Sequence, residues 1–294
     1  MLKVLELFSG IGAFAQAAKN RQIEIVAAFD QDPRANATYQ LNYGLSPSSR
    51  NLDTIASRQL PAADLWWMSP PCQPYTVRGN QKGLQDPRSR SLLNLMRHLP
   101  DHRPAVLILE NVTGFRNSDA HQLVLTTLNN LDYKTQLVEL SPTDLGVPMR
   151  RPRLFLVATA NGVSFKPSAC FSDTKISLPN IIRTEFDDSL VVSPQDFQKY
   201  SSSLHIIDSS DDNACAICFT SGYWKSYRSS GSFIKIDGAK IRRFSPEEIV
   251  SLMGFSADFS FAPHLSISAK LHLAGNTVDV RTIGYILNGL SNLS

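Results

Sequence analysis

The sequence predicts an α/β protein: a largely parallel sheet with helices on both faces, and a smaller domain inserted late in the chain. Three observations lead there. Short apolar runs alternate with helical stretches over the first 160 residues, four of these runs end in polar or special residues, and near Phe165 the pattern turns Ser-rich and less periodic. A length of 294 residues suits about two domains, or one large domain with an insert. With 43% hydrophobic and 19% charged residues, a disordered or repeat-built chain is excluded.

The expected strands are Val4-Leu7, Ile25-Phe29, Leu65-Met68, Val106-Leu109, Thr135-Leu140 and Leu154-Ala158. In such sheets ligands sit beyond the carboxyl ends of the strands. Four of the ends carry Ser9-Gly10-Ile11-Gly12, Asp30, Ser69-Pro70-Pro71-Cys72 and Glu110-Asn111-Val112, enough to line one crevice. The expected division is a sheet domain over 1–164, an insert over 165–240, and a return to the sheet domain over 241–294. In the return, Ser245-Pro246-Glu247-Glu248 offers an N-cap, a proline at N1 and an acid at N3, and Thr277 to Leu290 is a second amphipathic helix.

Charge is unevenly placed, although 29 Lys and Arg against 26 Asp and Glu leave only +3. Residues 183–212 carry seven acids and two bases, whereas 221–243 carry Lys225, Arg228, Lys235, Lys240, Arg242 and Arg243 against Asp237. Tyr223, Trp224, Tyr227 and Phe233 are interleaved there, as on a surface that meets phosphates and stacks bases. A solvated edge over core aromatics fits the same composition.

No run approaches the roughly 18 apolar residues of a membrane span. Lys3 and the apolar residues to Ala18 imitate an export signal, but Glu6 and the Ser9-Gly10-Ile11-Gly12 break interrupt it. The four cysteines, Cys72, Cys170, Cys215 and Cys218, favour free thiols in a reducing compartment. A monomeric intracellular protein is expected, cytoplasmic, or nuclear in a eukaryote. Cys215-Ala216-Ile217-Cys218 has no second Cys-x-x-Cys and the six histidines show no ligand spacing, so no metal is expected.

Val4 to Ala15 reads as a strand, a glycine turn and a helix start, satisfying G-x-G-x-x-G/A, with Asp30 placed 20 residues after Gly10 to hold ribose hydroxyls. A dinucleotide and S-adenosylmethionine (SAM) share that ribose, so the turn alone leaves both open, as it does a tight turn without ligand. Cys72 follows a strand on a loop stiffened by three prolines, which positions its thiol. Thiol, carboxyl and guanidinium form the set needed to make carbon 5 of a cytosine nucleophilic. Cys72 would add to carbon 6, Glu110 would engage N3 and the amino group, and Arg151 and Arg153 would polarise the carbonyl. Taken singly, Glu110 could cap a helix and the arginines could be a solvated edge.

Together these stretches resemble the cytosine carbon-5 methyltransferase family. The matching residues are Leu7-Phe8-Ser9-Gly10-Ile11-Gly12, Pro70-Pro71-Cys72-Gln73-Pro74, Glu110-Asn111-Val112, Arg151-Pro152-Arg153 and Ala274-Gly275-Asn276-Thr277-Val278, in an order that covers nearly the whole chain. The resemblance implies a SAM-dependent methyltransferase fold, a Rossmann-like mixed sheet with a smaller target-recognition domain, and SAM as cofactor. It implies cofactor contacts from Phe8, Ser9, Gly10, Ile11, Gly12, Ala13, Asp30, Ser69 and Asn276, with Asp53, Thr54 and Ile55 at the adenine.

Within the insert, Cys218-Phe219-Thr220-Ser221-Gly222-Tyr223 resembles the Cys-Phe-Thr stretch of the tRNA-aspartate branch, whose members modify anticodon-loop cytosine 38. That implies tRNA as the favoured nucleic-acid partner, with Cys218, Phe219, Thr220, Tyr223, Lys225 and Arg228 as substrate contacts. An unpaired loop base also costs less to extrude than a stacked one. A DNA cytosine-5 methyltransferase is the alternative. A SAM- and nucleic-acid-binding relic without turnover and an NAD-linked oxidoreductase are more distant ones.

Overall fold

Each apolar run of the first 160 residues forms a strand. In the computed structural model, which describes residues 1–75, 83–167, 176–236 and 240–291, the chain begins β1 (Leu2–Leu7), α1 (Ala13–Ala18), β2 (Ile23–Phe29), α2 (Pro33–Tyr43) and β3 (Leu65–Met68). It continues α3 (Arg90–His102), β4 (Val106–Asn111), α4 (Asp119–Asn130), β5 (Lys134–Leu140), a two-residue β6 (Met149–Arg150), β7 (Arg153–Thr159) and β8 (Ser164–Phe165). Cys170 lies outside the described residues.

The chain packs as two units, one of Met1–Leu140, Pro152–Ser168 and Gly284–Ser294, the other of Ser141–Arg151 and Ala169–Ile283. The first holds a six-stranded sheet in the order β2-β1-β3-β4-β7-β5. Successive side chains of a strand point to opposite faces, and β3 shows it: the Trp66 ring lies 5.3 Å from His102 of α3, while Trp67 lies 5.2 Å from Phe14 of α1. Both faces are therefore covered by helices, which explains why β3 and β4 are apolar nearly throughout.

One strand departs from the parallel expectation. β7 runs antiparallel to both β4 and β5. A parallel neighbour needs a crossover, usually a helix; between Leu140 and Arg153 the chain has only a short 3-10 turn at Pro142–Leu145 and β6. The sheet is mixed for that reason.

The second unit contains α5 (Pro194–Tyr200), β9 (His205–Asp208), β10 (Ala216–Ile217), β11 (Ser232–Lys235), β12 (Ile241–Arg243), α6 (Pro246–Leu252) and α7 (Ile267–Asn276). Its small sheet has the order β12-β11-β9, and β10 pairs with β6. The chain re-enters the first unit within α8 (Val280–Asn288), and β13 (Leu290–Ser291) pairs with β8.

The division expected at 164 and 240 is thus corrected. Residues 241–283 belong with the insert, as does 141–151. β12 is hydrogen-bonded to β11, and Arg242 on β12 makes a buried ion pair of 2.7 Å with Glu248 of α6. The expected cap of α6 is present: Ser245 Oγ accepts from the Glu248 amide at 3.1 Å, and Glu248 Oε2 accepts from the Ser245 amide at 2.7 Å. Farther on, the Val280 amide donates to Met253 O at 2.9 Å, so the segment after α7 returns to α6.

Candidate active site

The first turn is strained. Phe8, Gly10 and Gly12 have φ of 62, 54 and 90°. Gly12 is required twice over, because a Cβ there would stand 2.2 Å from the Tyr43 ring of α2. At Gly10 a Cβ would meet nothing within 4 Å, so this side of the turn is open. Ile11 and Ala13 are buried beneath it. The Gly10 amide donates to Asp30 Oδ2 at 2.8 Å, and the Asp32 amide to Oδ1 at 2.9 Å. Burial raises the Asp30 carboxyl above its ordinary value, opposed by these same hydrogen bonds. Asp30 thus ties the ends of β1 and β2 together.

Two groups in this turn region fit a polar ligand. Ser9 Oγ is buried and has no hydrogen-bond partner among the described residues, and a buried unsatisfied hydroxyl is costly unless something meets it. Asp30 presents its carboxylate at the neighbouring strand end, only partly buried. Deeper, Glu6 is fully buried and accepts from Tyr39 Oη at 2.7 Å; burial pushes its carboxyl up to about 8.

The loop expected at the adenine is held by one face of α3. Ser91 donates to the Asp53 carboxylate, Asn94 Nδ2 donates to Leu52 O and Ile55 O at 3.0 Å each, and His98 Nε2 lies 2.9 Å from Ile55 O. Their spacing of three and four residues puts these side chains on one stripe. Ile55 is in the core and Thr54 is exposed.

At the end of β3, Ser69 Oγ donates to Glu110 Oε2 at 2.6 Å, and Arg153 Nε lies 3.1 Å from Glu110 Oε1. Sheet topology explains the meeting. β3 and β4 are parallel neighbours, so their carboxyl ends coincide, and the antiparallel β7 starts where β4 finishes, pairing Leu154 with Asn111. Asn111 Nδ2 donates to Pro70 O at 3.1 Å, anchoring the loop two residues before the half-buried Cys72. A 3-10 turn over Gln73–Tyr75 follows, with the Tyr75 amide donating to Cys72 O at 2.9 Å. The structure therefore brings Ser69, the Cys72 loop, Glu110 and Arg153 to one end of one sheet.

Several expected contacts are corrected. Arg151 is buried: Nη1 donates to Phe219 O at 2.7 Å and Cys218 Sγ at 2.9 Å, and Nη2 to Thr277 O at 2.6 Å and Gly275 O at 3.1 Å. Its planar fork satisfies carbonyls at the C-terminal end of α7 within the second unit, rather than presenting itself to a ring carbonyl. Phe219 and Tyr223 are core residues with 0% exposure, and Tyr223 Oη bonds Ser232 O and the Phe244 amide.

The aromatic and basic stretch is likewise mostly interior. Arg242 and Arg243 are buried, the latter over the rings of Tyr227 at 4.5 Å, Trp224 at 5.3 Å and Phe233 at 5.6 Å. Lys225, Arg228, Lys235 and Lys240 are exposed. Cys218 and Thr220 are half-buried, and Asn276 is exposed at the end of α7, with Nδ2 3.3 Å from His272 Nε2. Among the described residues no group of three or more His, Cys, Asp and Glu could hold a metal ion.

Sequence reasoning gave Asn111 no role and passed over Asp86 and Arg88, whose turn packs on that of Cys72. An Asp-Pro pair at 86–87, the signature of a capped turn, was the available signal.

A nucleotide-shaped turn, a positioned thiol and a braced carboxylate at the strand ends of one mixed sheet describe a class of nucleobase-modifying transferases, and the comparisons agree. The chain belongs to the C-5 cytosine-specific DNA methylase family, whose profile matches residues 2–292, and it is a cytosine-5 methyltransferase. A tRNA (cytosine(38)-C(5))-methyltransferase of Schizosaccharomyces pombe is 28% identical over 98% of this chain and 96% of its own length. A DNA (cytosine-5)-methyltransferase of Dictyostelium discoideum is 27% identical over 98% and 94%. Among solved structures, the Entamoeba histolytica methyltransferase EhMeth superposes with a TM-score of 0.89 at 26% identity, covering 98% of this chain and 97% of that one. The family is of the kind that uses SAM, and its members act on nucleic acid.

Proposed function

We propose that the protein methylates carbon 5 of cytosine in RNA, with anticodon-loop cytosine 38 of tRNA(Asp) as its target, through a covalent bond between Cys72 and carbon 6. The observation that supports the chemistry is the shared strand end: Asn111 fixes the Cys72 loop while Ser69 and Arg153 fix the Glu110 carboxylate. The RNA assignment is supported by the name of the fission-yeast relative, by the Cys218-Phe219-Thr220 stretch, and by the exposed Lys225, Arg228, Lys235 and Lys240.

Cytosine is electron-poor at carbon 5, so a nucleophile must first load the ring. The Cys72 thiolate adds to carbon 6, and the electron pair displaced from the 5,6 double bond makes carbon 5 nucleophilic. Glu110, acting as a carboxylic acid, gives its proton to N3, where the displaced charge collects, and accepts a hydrogen bond from the exocyclic amino group. Arg153 and Ser69 keep that carboxylate in one orientation, so little rearrangement is needed at the moment of reaction. SAM, when bound, supplies the methyl group as an electrophilic sulfonium. Ser9, Gly10 and Asp30 would hold its amino-acid and ribose groups, and the α3-braced loop at Asp53–Ile55 its adenine. Loss of the carbon-5 proton and expulsion of the Cys72 thiolate restore the aromatic ring.

Incubation with methyl-labelled SAM and separate pools of tRNA and duplex DNA tests the reading. Label entering tRNA, mapped to position 38, is the expected result. Label entering DNA and not tRNA would instead assign the activity named for the Dictyostelium relative.

A further inference from the structure

Within the second unit a stack of aromatic rings runs from the core to the surface. Phe233 of β11 is fully buried, the Tyr227 ring lies 5.9 Å from it and only 20° off parallel, and the Tyr200 ring, at the end of α5, lies 4.9 Å from Tyr227 and 15° off parallel. Tyr227 and Tyr200 are half-buried. The interior pairs of the same unit meet edge to face instead, Phe219 against Tyr223 at 77° and against Phe244 at 65°. A parallel stack covers one face of its last ring, and Tyr200, the last ring among the described residues, keeps part of its surface in solvent.

The stack is clamped from both ends of α5. Tyr227 Oη donates to Asp196 Oδ2 at 3.0 Å, and that oxygen also accepts from Ser193 Oγ at 2.9 Å. Ser193 is the N-cap of the helix and accepts from the Asp196 amide at 3.1 Å. The Arg243 guanidinium, 4.5 Å from the Tyr227 ring centre, holds the same ring from its face. A helix of seven residues has little stability alone. Its docking on Tyr227 therefore sets where Tyr200 stands.

Exposed cations flank both outer rings. Lys199 Nζ lies 5.0 Å from the Tyr200 ring centre, and Arg228 directly follows Tyr227 in the chain. Residues 183–212 carry seven acids and only two bases, Arg183 and Lys199. Lys199 is thus at odds with its neighbours in sequence but not in the fold, where the stacking of Tyr200 on Tyr227 brings it to the stretch that holds Lys225 and Arg228. The one carboxylate in this cluster, Asp196, is engaged by two hydroxyls. An aromatic ring with cations at its rim matches an unpaired nucleobase, whose flat face stacks on the ring while its phosphates meet the charges. A base stacked inside a duplex offers no such face, whereas a loop base does.

We propose that Tyr200, rimmed by Lys199 and Arg228, is a stacking platform for a second unpaired base of the RNA, distinct from the cytosine that is methylated. The proposal rests on the substrate being a loop-bearing RNA, as in the reading above. It adds to the substrate contacts a tyrosine and a lysine that lie in the acidic part of the insert.

An anticodon stem-loop RNA carrying 5-iodouridine at one loop position per molecule, scanned across the loop, is irradiated with the whole chain, and cross-linked peptides are mapped by mass spectrometry. A cross-link at Tyr200 from a position other than the target cytosine is expected. In initial rates on tRNA, Tyr200→Leu should raise KM about 5- to 50-fold with the loss falling in KM and not in kcat, whereas Tyr200→Phe and Tyr200→Trp should stay near the parent. Lys199→Met, which leaves the stacked rings in place, should weaken tRNA binding in fluorescence anisotropy and reduce its salt slope by about 0.7. A Tyr200→Leu protein with the parent's KM, or one that loses kcat instead, overturns the proposal, as does the absence of a Tyr200 cross-link from every loop position. If tRNA is still methylated at position 38 in that case, the assigned reaction stands without the platform. If Tyr200 cross-links to a loop base but no RNA is ever methylated, the platform stands while the assigned reaction falls.

Discussion

Arg151→Met asks whether this arginine belongs to the chemistry or to the fold. Methionine keeps the length of the side chain and removes its donors. Three buried carbonyls, those of Phe219, Gly275 and Thr277, lose a charged partner, and so does Cys218 Sγ. Each buried acceptor left without a donor costs about 1–3 kcal/mol; within one network the losses are not additive, so the expected total is about 3–5 kcal/mol. Against a usual stability of about 5–15 kcal/mol that is a large fraction. Trp224 is the single tryptophan of the second unit, so its fluorescence reports that unit's unfolding in a Trp66→Phe, Trp67→Phe background. With a slope of about 1–3 kcal/mol/M in urea, the midpoint should drop by about 1–5 M. Arg151→Lys should recover less than half of the loss, because a point charge cannot span carbonyls on two sides. An Arg151→Met protein that unfolds like the parent but has lost methyl transfer would refute this and return the guanidinium to the substrate's carbonyl.

Removing the Asn111 anchor with Asn111→Ala should lower kcat about 10-fold through misplacement of the Cys72 loop while leaving SAM affinity unchanged; calorimetry and initial rates check this, and a weakened SAM affinity at normal kcat contradicts it. Glu6 carries a folded-state pKa raised from 4.5 to about 8, so the folded protein keeps a proton that the unfolded chain releases. Its contribution is fully present below pH 4.5 and is lost as pH rises through about 8. Relative to Glu6→Gln, the parent's melting temperature should therefore fall between pH 5 and 8, and a constant difference would contradict the burial argument. Gly12→Ala puts a Cβ into the Tyr43 ring at φ 90°, which should cost about 1–3 kcal/mol, partly relieved by a second Tyr43→Ala change; an unchanged melting curve for the single variant contradicts the packing.

The sheet was legible because its strands are short apolar runs ended by glycine, proline or acid, a pattern that local sequence carries. For the same reason the Cys72 loop, Glu110 and Arg153 could be expected at neighbouring strand ends. What sequence concealed was partnership. Arg151 and Arg153 are two residues apart and look alike, yet one braces Glu110 and the other ties together carbonyls more than 60 residues away in sequence. Tyr223 and Arg243 read as a base-stacking surface, because an arginine gives no local sign that aromatic rings will bury it. The cap at Ser245 revealed a helix but not its unit, since that depends on the Arg242–Glu248 pair and on β12 joining β11.

The central claim is that Cys72 bonds to carbon 6 of the target cytosine. An RNA stem-loop carrying 5-fluorocytosine, mixed with the protein and SAM, blocks the final loss from carbon 5 and should leave protein and RNA joined on a denaturing gel. The band should be absent with Cys72→Ala. Methyl transfer to ordinary RNA without any such band, or a band that survives Cys72→Ala, would contradict the account.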